Sequence, residues 1–109
     1  MDFNTYQKKA RLTAQYPNLG SNYIYPTLGL VGEAGEVAEK VKKVIRDKNG
    51  VFDDESKKGI KKELGDVLWY FSNLCNEFDF NLDDVAFENI EKLRLRAAKG
   101  KISGSGDDR

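Results

Sequence analysis

The chain has 109 residues, of which 39% are hydrophobic and 33% are charged. This length fits a single domain with a lean core, so association into an oligomer is expected. Lysine plus arginine and aspartate plus glutamate both number 18, and this balance excludes the overall basic character of a nucleic-acid-binding protein.

Cysteine content and hydropathy indicate the cellular compartment in which the protein is expected. The single cysteine, Cys75, excludes an intrachain disulfide framework and fits a reducing environment. No apolar run approaches the roughly 20 residues that span a bilayer, and the first residues lack the basic and apolar regions of a signal peptide. We therefore expect a cytoplasmic protein that binds neither membranes nor, stably, nucleic acid.

The first predicted helix covers residues 3–16, where apolar side chains recur at helical spacing, and it ends before Pro17. A polar, turn-rich loop follows. Tyr23 and Tyr25 come next, just before Pro26. We expect these two rings to pack the loop against the domain, with stacking on a nucleobase as the alternative.

The second predicted helix begins near Pro26 and ends at the turn signal in residues 47–50. The face of this helix that lies opposite its apolar stripe carries Gly29, Gly32 and Gly35. Each glycine costs about 1 kcal/mol relative to alanine in a helix interior. A ligand or another helix is therefore expected to approach this backbone closely. One wide apolar stripe is formed by Leu30, Val31, Ala34, Val37, Ala38, Val41, Val44 and Ile45.

Two further helices are predicted, from Asp54 to Phe78 and from Leu82 to Lys99, capped by Asp53 or Asp54 and by Asn81. The chain is therefore predicted to be an all-α antiparallel bundle of about four helices, completed by oligomerisation. Trp69 is predicted to point away from the core, toward a second subunit. The predicted core stripes of these helices are Ile60, Leu64, Val67, Leu68, Phe71, Leu74, Cys75 and Phe78, then Val85, Ala86, Ile90, Leu93 and Ala97.

Two acid-x-x-acid pairs are the most informative feature of the sequence. Glu33 and Glu36 lie on the second predicted helix, and Glu63 and Asp66 lie on the third. Side chains three residues apart are about 60° apart around a helix, close enough to share a cation. If the two helices turn back on each other, four carboxylates face one site. Glu39 lies farther round and is expected to be solvated.

The ligand chemistry selects a hard cation. The chain contains no histidine, which removes the usual nitrogen ligand of catalytic zinc sites and the Glu-x-x-His motif of ferritin-like bundles. Oxygen ligands alone suit Mg²⁺, with Mn²⁺ as a second possibility. Chance occurrence of acid pairs on charged helices is the alternative, and the protein would then be a non-catalytic helical interaction module.

Polar side chains continue along the third helix beside its acid pair. Tyr70, Asn73 and Glu77 share a lane with Glu63 and Asp66, all within roughly 80° around the helix. Magnesium held by carboxylates ordinarily meets substrate phosphates. The candidate substrate contacts are the ring of Tyr70, the amides of Asn73 and Asn89, and the cationic side chains of Lys92 and Arg96.

The segment around Glu33-Ala-Gly-Glu36 and the later Glu63-Leu-Gly-Asp66-Val-Leu-Trp-Tyr70 resemble the MazG-like nucleoside triphosphate pyrophosphohydrolases. The resemblance implies an all-α domain over residues 1–100, usually a homodimer or a dimer of dimers. It implies that the four acids bind Mg²⁺ and act in catalysis. It also implies that Tyr70 contacts the base and that Lys92 and Arg96 lie at the triphosphate end.

The implied reaction is Mg²⁺-dependent hydrolysis of ribo- or deoxynucleoside triphosphates to a monophosphate and pyrophosphate, in nucleotide-pool control or house-cleaning. A related hydrolase acting on phosphoribosyl-ATP remains an alternative, because that family shares the bundle. The polar tail, residues 101–109, is predicted to fray or to reach over a neighbouring subunit's site.

Overall fold

The computed structural model describes residues 1–100, and these fold into four helices without a strand. The all-α prediction is confirmed. The predicted tail of residues 101–109 lies outside the described part of the chain. The helices are α1 (Phe3–Leu12), α2 (Ile24–Asp47), α3 (Asp54–Glu77) and α4 (Leu82–Ala98).

The first helix is shorter than predicted, because it ends at Leu12 rather than at residue 16. The hydroxyl of Thr13 donates a hydrogen bond to the Ala10 carbonyl at 2.7 Å, and the Thr13 amide reaches the same oxygen at 3.1 Å. These short-range bonds turn the chain out of the α-helical path. The turn allows Tyr16, predicted to be helical, to bury its side chain in the domain.

Helices α2 and α3 form an antiparallel hairpin with the most extensive contact in the described chain. Its register is visible in three pairs of facing residues: Gly29 lies against Tyr70, Lys40 lies against Gly59, and Lys48 lies against Asp53. The turn contains Asn49 and Gly50, both with positive φ. The Asp53 carboxylate then caps α3 by accepting a hydrogen bond from the Ser56 amide at 2.8 Å, as predicted.

The most buried side chains cluster where α1 packs on the C-terminal half of α3. Ala10, Ala14, Tyr16, Cys75 and Leu82 are each at most 7% exposed. The Gln7 side chain joins three elements here: its amide nitrogen donates to Asn76 and to the Phe80 carbonyl, and its oxygen accepts from the Leu82 amide. This end of the domain is therefore fixed by both apolar packing and buried polar contacts.

The predicted apolar stripe of α2 is mostly uncovered in the single chain. Val44 is buried, but Val31 is 67% exposed and Ile45 is 62% exposed. Helix α4 packs on α1 and leaves a cleft of about 540 Å³ against α3, with Leu64 52% exposed. No element of the described chain therefore covers Val31, Ile45 or Leu64.

Candidate active site

Three of the four predicted carboxylates come together between α2 and α3. One oxygen from each of Glu33, Glu63 and Asp66 lies within 4.8 Å of the other two. Glu33 and Glu63 are half-buried, and Asp66 is exposed. The antiparallel register of the hairpin brings the acid of one helix opposite the acid pair of the other, so local spacing and topology together build this acidic cluster.

The electrostatics of the acidic cluster fit a bound cation. A hydrogen bond with the Glu63 carboxyl raises the pKa of Glu33, and desolvation and the charges of Asp66, Glu63 and Glu36 act in the same direction. The ionised form of Glu33 is therefore disfavoured by its neighbouring acids. A hard divalent cation would remove that repulsion, and three carboxylate oxygens are a suitable donor set for it.

Glu36 and Glu39 lie outside this group of three oxygens. Glu36 is exposed on α2, although its charge contributes to the raised pKa of Glu33. Its role as a ligand remains a prediction. Glu39 pairs with Lys42 at 2.9 Å on the outer side of α2, as expected for a solvated acid.

An aromatic cleft lies directly beside the acidic cluster. A cavity of about 360 Å³ is lined by Tyr6 of α1, Trp69 and Tyr70 of α3, and the carboxylates Glu33 and Asp66. Burial raises the pKa of Tyr6, and the charge of Asp66 adds to that effect. The cleft therefore combines apolar ring surface with negative charge at one end. Sequence reasoning missed Tyr6, because its helical spacing is also that of an ordinary core residue.

Tyr70 owes its place in the cleft to a glycine. A Cβ atom added at Gly29 would lie only 2.2 Å from the Tyr70 ring, so the ring lies directly on the α2 backbone. The predicted close approach to the glycine face is thus confirmed at Gly29, although the approaching group is a side chain of the same chain. Nothing lies within 4 Å of the corresponding positions at Gly32 and Gly35.

Trp69 does not point away from the domain as predicted. Its indole nitrogen donates to the Thr13 hydroxyl at 2.8 Å, and its ring stands edge-on to Tyr70 with centroids 5.0 Å apart. The prediction was wrong because the segment after α1 covers this direction. Trp69 therefore belongs to the wall of the cleft and is not an exposed ring awaiting a second subunit.

The rest of the polar lane on α3 serves the structure. Asn73 is completely buried, and its amide oxygen accepts hydrogen bonds from Arg11 at 3.3 Å and from Asn76 at 3.4 Å. Its amide nitrogen donates to the Trp69 carbonyl. In this conformation Asn73 offers nothing to a substrate, because its hydrogen-bonding groups face protein partners.

Glu77 is the centre of a buried polar network. Its carboxylate accepts hydrogen bonds from Arg11 at 2.8 Å, from the Tyr16 hydroxyl at 2.6 Å, and from the amides of Gly20 and Asn22. Burial alone would raise the pKa of Glu77, but these donors together lower it to about 2. The network fastens the connection between α1 and α2 to the end of α3. It thereby supports Tyr25, which stacks on Tyr16 at 4.9 Å.

Three of the predicted substrate contacts lie on α4. Asn89 lines the apolar cleft between α3 and α4, with Leu64 and Phe71. Arg96 is buried, and Lys92 is half-buried. Substrate binding by these three residues therefore stays a prediction that depends on more than the arrangement of the single chain.

Comparison with known proteins identifies this arrangement. The family model for the MazG nucleotide pyrophosphohydrolase domain matches residues 25–100, which include all of α2 except Ile24, then α3, α4 and all four predicted carboxylates. The chain belongs to the MazG nucleotide pyrophosphohydrolase family. Membership supports nucleotide pyrophosphohydrolase activity in general terms, a nucleotide substrate and dependence on a divalent metal.

The MazG chain is also similar to a phage protein of similar length. It is 46% identical over 114 residues to the Gene 37 protein of Mycobacterium phage L5, and the alignment covers all of both chains. No solved structure matches the chain significantly. Among residues 1–100, none of the helices is long and apolar enough to cross a bilayer.

Proposed function

We propose that the protein hydrolyses nucleoside triphosphates, ribo or deoxy, to a nucleoside monophosphate and pyrophosphate with Mg²⁺ bound at the acidic cluster. The observation that carries the proposal is the direct contact of a three-carboxylate group with an aromatic cleft. A cation beside a ring-lined cavity suits a ligand with phosphates at one end and a base at the other. Mn²⁺ would occupy the same oxygen ligands.

In this proposal Glu33, Glu63 and Asp66 hold the cation, with Glu36 available one turn away on α2. A bound divalent cation supplies positive charge to the phosphates and makes a water molecule more acidic. Ligation requires ionised oxygens, so a bound cation would lower the pKa of Glu33, which the neighbouring acids raise. The half-buried position of two ligands lowers the local dielectric and strengthens their interaction with the cation.

The aromatic cleft would hold the base. Trp69 and Tyr70 meet edge to face and both line the cleft, which therefore offers aromatic surface to a base. Such surfaces attract the π system of a purine or pyrimidine by about 1–3 kcal/mol per stacked base. The Tyr6 hydroxyl, at the edge of the same cavity, is available as a hydrogen-bond donor to the base or the sugar.

The test is a panel of canonical and modified nucleoside triphosphates with Mg²⁺, scoring pyrophosphate against orthophosphate. Attack at the α-phosphorus yields pyrophosphate, whereas attack at the γ-phosphorus yields orthophosphate and a diphosphate. Phosphoribosyl-ATP belongs in the panel because it distinguishes the alternative substrate. Orthophosphate as the primary product contradicts the mechanism, and turnover that is unchanged by chelating the metal contradicts the metal dependence. Absence of turnover on the whole panel favours a non-catalytic module.

We further propose that the working form is a homodimer or homotetramer. Ile24, Leu28, Val31 and Ile45 lie along one line of α2 and are 57–67% exposed. Their successive spacings of four, three and fourteen residues follow the seven-residue repeat of a helix that packs on another helix. A second copy would cover this stripe, and the open cleft between α3 and α4 offers it further apolar surface.

The assembly is tested by sedimentation at micromolar concentration with Val31→Glu, because Val31 lies in the middle of the exposed stripe. The variant is expected to shift the protein to a smaller species, since a charge would be buried between subunits. Lys42→Glu, an exposed change on the same helix, is the matched control. A wild-type monomer that is fully active overturns the oligomer without affecting the metal site.

A further inference from the structure

Three kinds of side-chain contact follow one another along the helix pair α2–α3. The aromatic contact between Gly29 and Tyr70 comes first, the acidic cluster is next, and the contact between Lys40 and Gly59 follows toward the hairpin turn. At 1.5 Å per residue, Lys40 lies about 10 Å beyond Glu33 along the α2 axis. Aromatic, acidic and basic groups thus succeed one another along one side of the pair.

Lys40 is next to the acidic cluster but is not tightly bound to it. Its ammonium nitrogen lies 3.8 Å from Oε1 of Glu63, beyond hydrogen-bonding distance. The Lys40 side chain is 40% exposed, so its ammonium is open to a ligand from solvent. A lysine ammonium has three donors, and an ion pair of this length leaves them available to a second anion.

Lys40 extends along the surface of α3 at Gly59. A Cβ atom at Gly59 would lie 3.6 Å from Cδ and 3.8 Å from the ammonium nitrogen of Lys40, so the lysine stem lies on the surface of α3. Beyond it opens a cavity of about 350 Å³, which Lys40 lines together with Lys43, Lys48 and Ser56. Asp47 and Glu55 also line this cavity, and Lys48 is already paired with Asp53 at 3.0 Å. Lys40 is therefore the lysine of this cavity that also contacts the acidic cluster.

We propose that Lys40 binds the β- and γ-phosphates of the substrate, and then the pyrophosphate product, on the hairpin side of the acidic cluster. The inference rests on the proposed function and adds the direction in which the triphosphate lies. With the base in the aromatic cleft and the α-phosphorus at the carboxylates, the remaining phosphates extend toward Lys40. With Glu63 ligating a cation, Lys40 would be available to the phosphates.

The position gives Lys40 a defined task in the reaction. A water oxygen forms a bond to the α-phosphorus, and the bond from that phosphorus to the bridging oxygen breaks. The bridging oxygen leaves on pyrophosphate with the bonding electron pair, and the proton lost by water passes to solvent. Negative charge accumulates on the leaving group, where a nearby ammonium stabilises it.

The competing explanation is that Lys40 only offsets the negative charge of the acidic cluster. The two explanations differ in which product Lys40 recognises. A lysine that offsets cluster charge affects cation affinity and acts on both products alike. A lysine that binds the leaving group affects pyrophosphate and leaves the nucleoside monophosphate unaffected.

The experiment compares Lys40→Ala and Lys40→Arg with Lys42→Ala, a control lysine that pairs with Glu39 on the outer side of α2. Inhibition constants for pyrophosphate and for the nucleoside monophosphate are measured at fixed Mg²⁺, and Mn²⁺ affinity is measured by calorimetry. For Lys40→Ala we expect the pyrophosphate constant to rise about tenfold, the effect of one charge-assisted hydrogen bond. The monophosphate constant should stay within about twofold. Lys40→Arg should restore part of the loss, and Lys42→Ala should match the wild type.

Equal changes in both inhibition constants, or a change in Mn²⁺ affinity alone, overturn the assignment. Direct calorimetric binding of pyrophosphate with Mg²⁺ keeps the test independent of turnover. If the wild type released orthophosphate first, the proposed reaction would fail, while loss of pyrophosphate binding in Lys40→Ala would still establish the phosphate site. Circular dichroism of each variant verifies the fold.

Discussion

Two carboxylate centres on α3, about four helical turns apart, have opposite surroundings. Glu77 is fully buried and accepts hydrogen bonds from Arg11, from the Tyr16 hydroxyl and from two backbone amides. At the acidic cluster, Glu63 and Asp66 face a third carboxylate, and Lys40 stands 3.8 Å away. The Glu77 carboxylate thus has hydrogen-bond donors from the protein on all sides, whereas the acidic cluster consists of carboxylates that lie close to one another.

The pKa values express the same difference. Donors lower the pKa of Glu77 to about 2 although burial opposes this, whereas the pKa of Glu33 is raised, chiefly by its hydrogen bond with Glu63. A carboxylate satisfied by its own protein holds the structure together. A group of carboxylates left uncompensated has the most to gain from an external cation. We therefore assign stability to the first centre and the proposed chemistry to the second.

The largest expected effect is the loss of activity in Asp66→Asn. The change removes one oxygen ligand, so turnover should fall by more than the roughly 100-fold that loss of an outer-shell partner costs a metal site. Thermal unfolding should occur at the same or a higher temperature, because like-charge repulsion in the cluster is relieved. Glu36→Gln is expected to behave in the same way.

The assay is pyrophosphate release at saturating Mg²⁺, with calorimetric melting on the same samples. Glu88→Gln, an exposed acid on α4, is the control and should keep wild-type values. Wild-type turnover in Asp66→Asn would remove this residue from the ligand set.

Glu77→Gln, unlike Asp66→Asn, should lower the stability of the fold. The variant removes the charge of a buried carboxylate that pairs with the half-buried Arg11, which is expected to lower the free energy of unfolding by about 3 kcal/mol. The measurement is urea unfolding at fixed protein concentration. Glu33→Gln is the matched control from the other centre, and its free energy of unfolding should stay constant or rise. A comparable loss in both variants would abolish the distinction between the centres.

Lowering the pH should change the stability contributed by the two carboxylate centres in opposite directions. The pKa of Glu77 falls from its ordinary value of 4.5 to about 2 on folding, so its contribution is present above pH 4.5 and is lost as the pH falls toward 2. The full loss amounts to about 3 kcal/mol. Glu33 has a raised pKa and works in the other direction, because its protonation at acid pH favours the folded state.

Urea unfolding at a series of pH values checks the acid prediction. The slope between pH 4.5 and pH 2 should be smaller in Glu77→Gln than in the wild type. An identical slope in the two proteins would mean that other carboxyls set the acid stability.

The smallest expected effect concerns the aromatic wall of the cleft. Gly29→Ala places a methyl group against the Tyr70 ring and should cost about 1–3 kcal/mol through overpacking. Gly32→Ala, where nothing lies within 4 Å, should stabilise the helix by up to about 1 kcal/mol. Trp69 is the single tryptophan and contacts Tyr70, so its emission should change in Gly29→Ala alone. Identical spectra in both variants would contradict the ring contact.

The sequence allowed much of the acidic cluster to be predicted, because helical spacing is a local property. Acids three residues apart share a side of any helix, and the turn signal at Asn49-Gly50 indicated that the two helices fold back. Capping residues such as Asp53 and Asn81 fixed two helix starts correctly for the same reason.

Contacts between distant segments were beyond such reasoning. A helical wheel gives the direction of Trp69 relative to α3, but it does not say that Thr13 lies in that direction. The partnership of Arg11 with Glu77 joins residues far apart in the chain, and neither residue type is normally expected inside. The exposure of Val31 could not be predicted either. The sequence pattern of an apolar stripe is the same whether the stripe is covered by its own chain or by a second copy.

In the antiparallel hairpin, the number of residues between the two acid pairs can change at the turn without changing the geometry of the acidic cluster. Residues added at the turn, between Lys48 and Asp53, extend the hairpin outward and leave the facing of Glu33 and Asp66 unchanged. One residue deleted inside α2, between Glu36 and the turn, would instead rotate everything after it by about 100° relative to Glu33. Evolution can therefore lengthen this hairpin at its turn without rebuilding the site, and an engineer can graft a reporter domain at the same place.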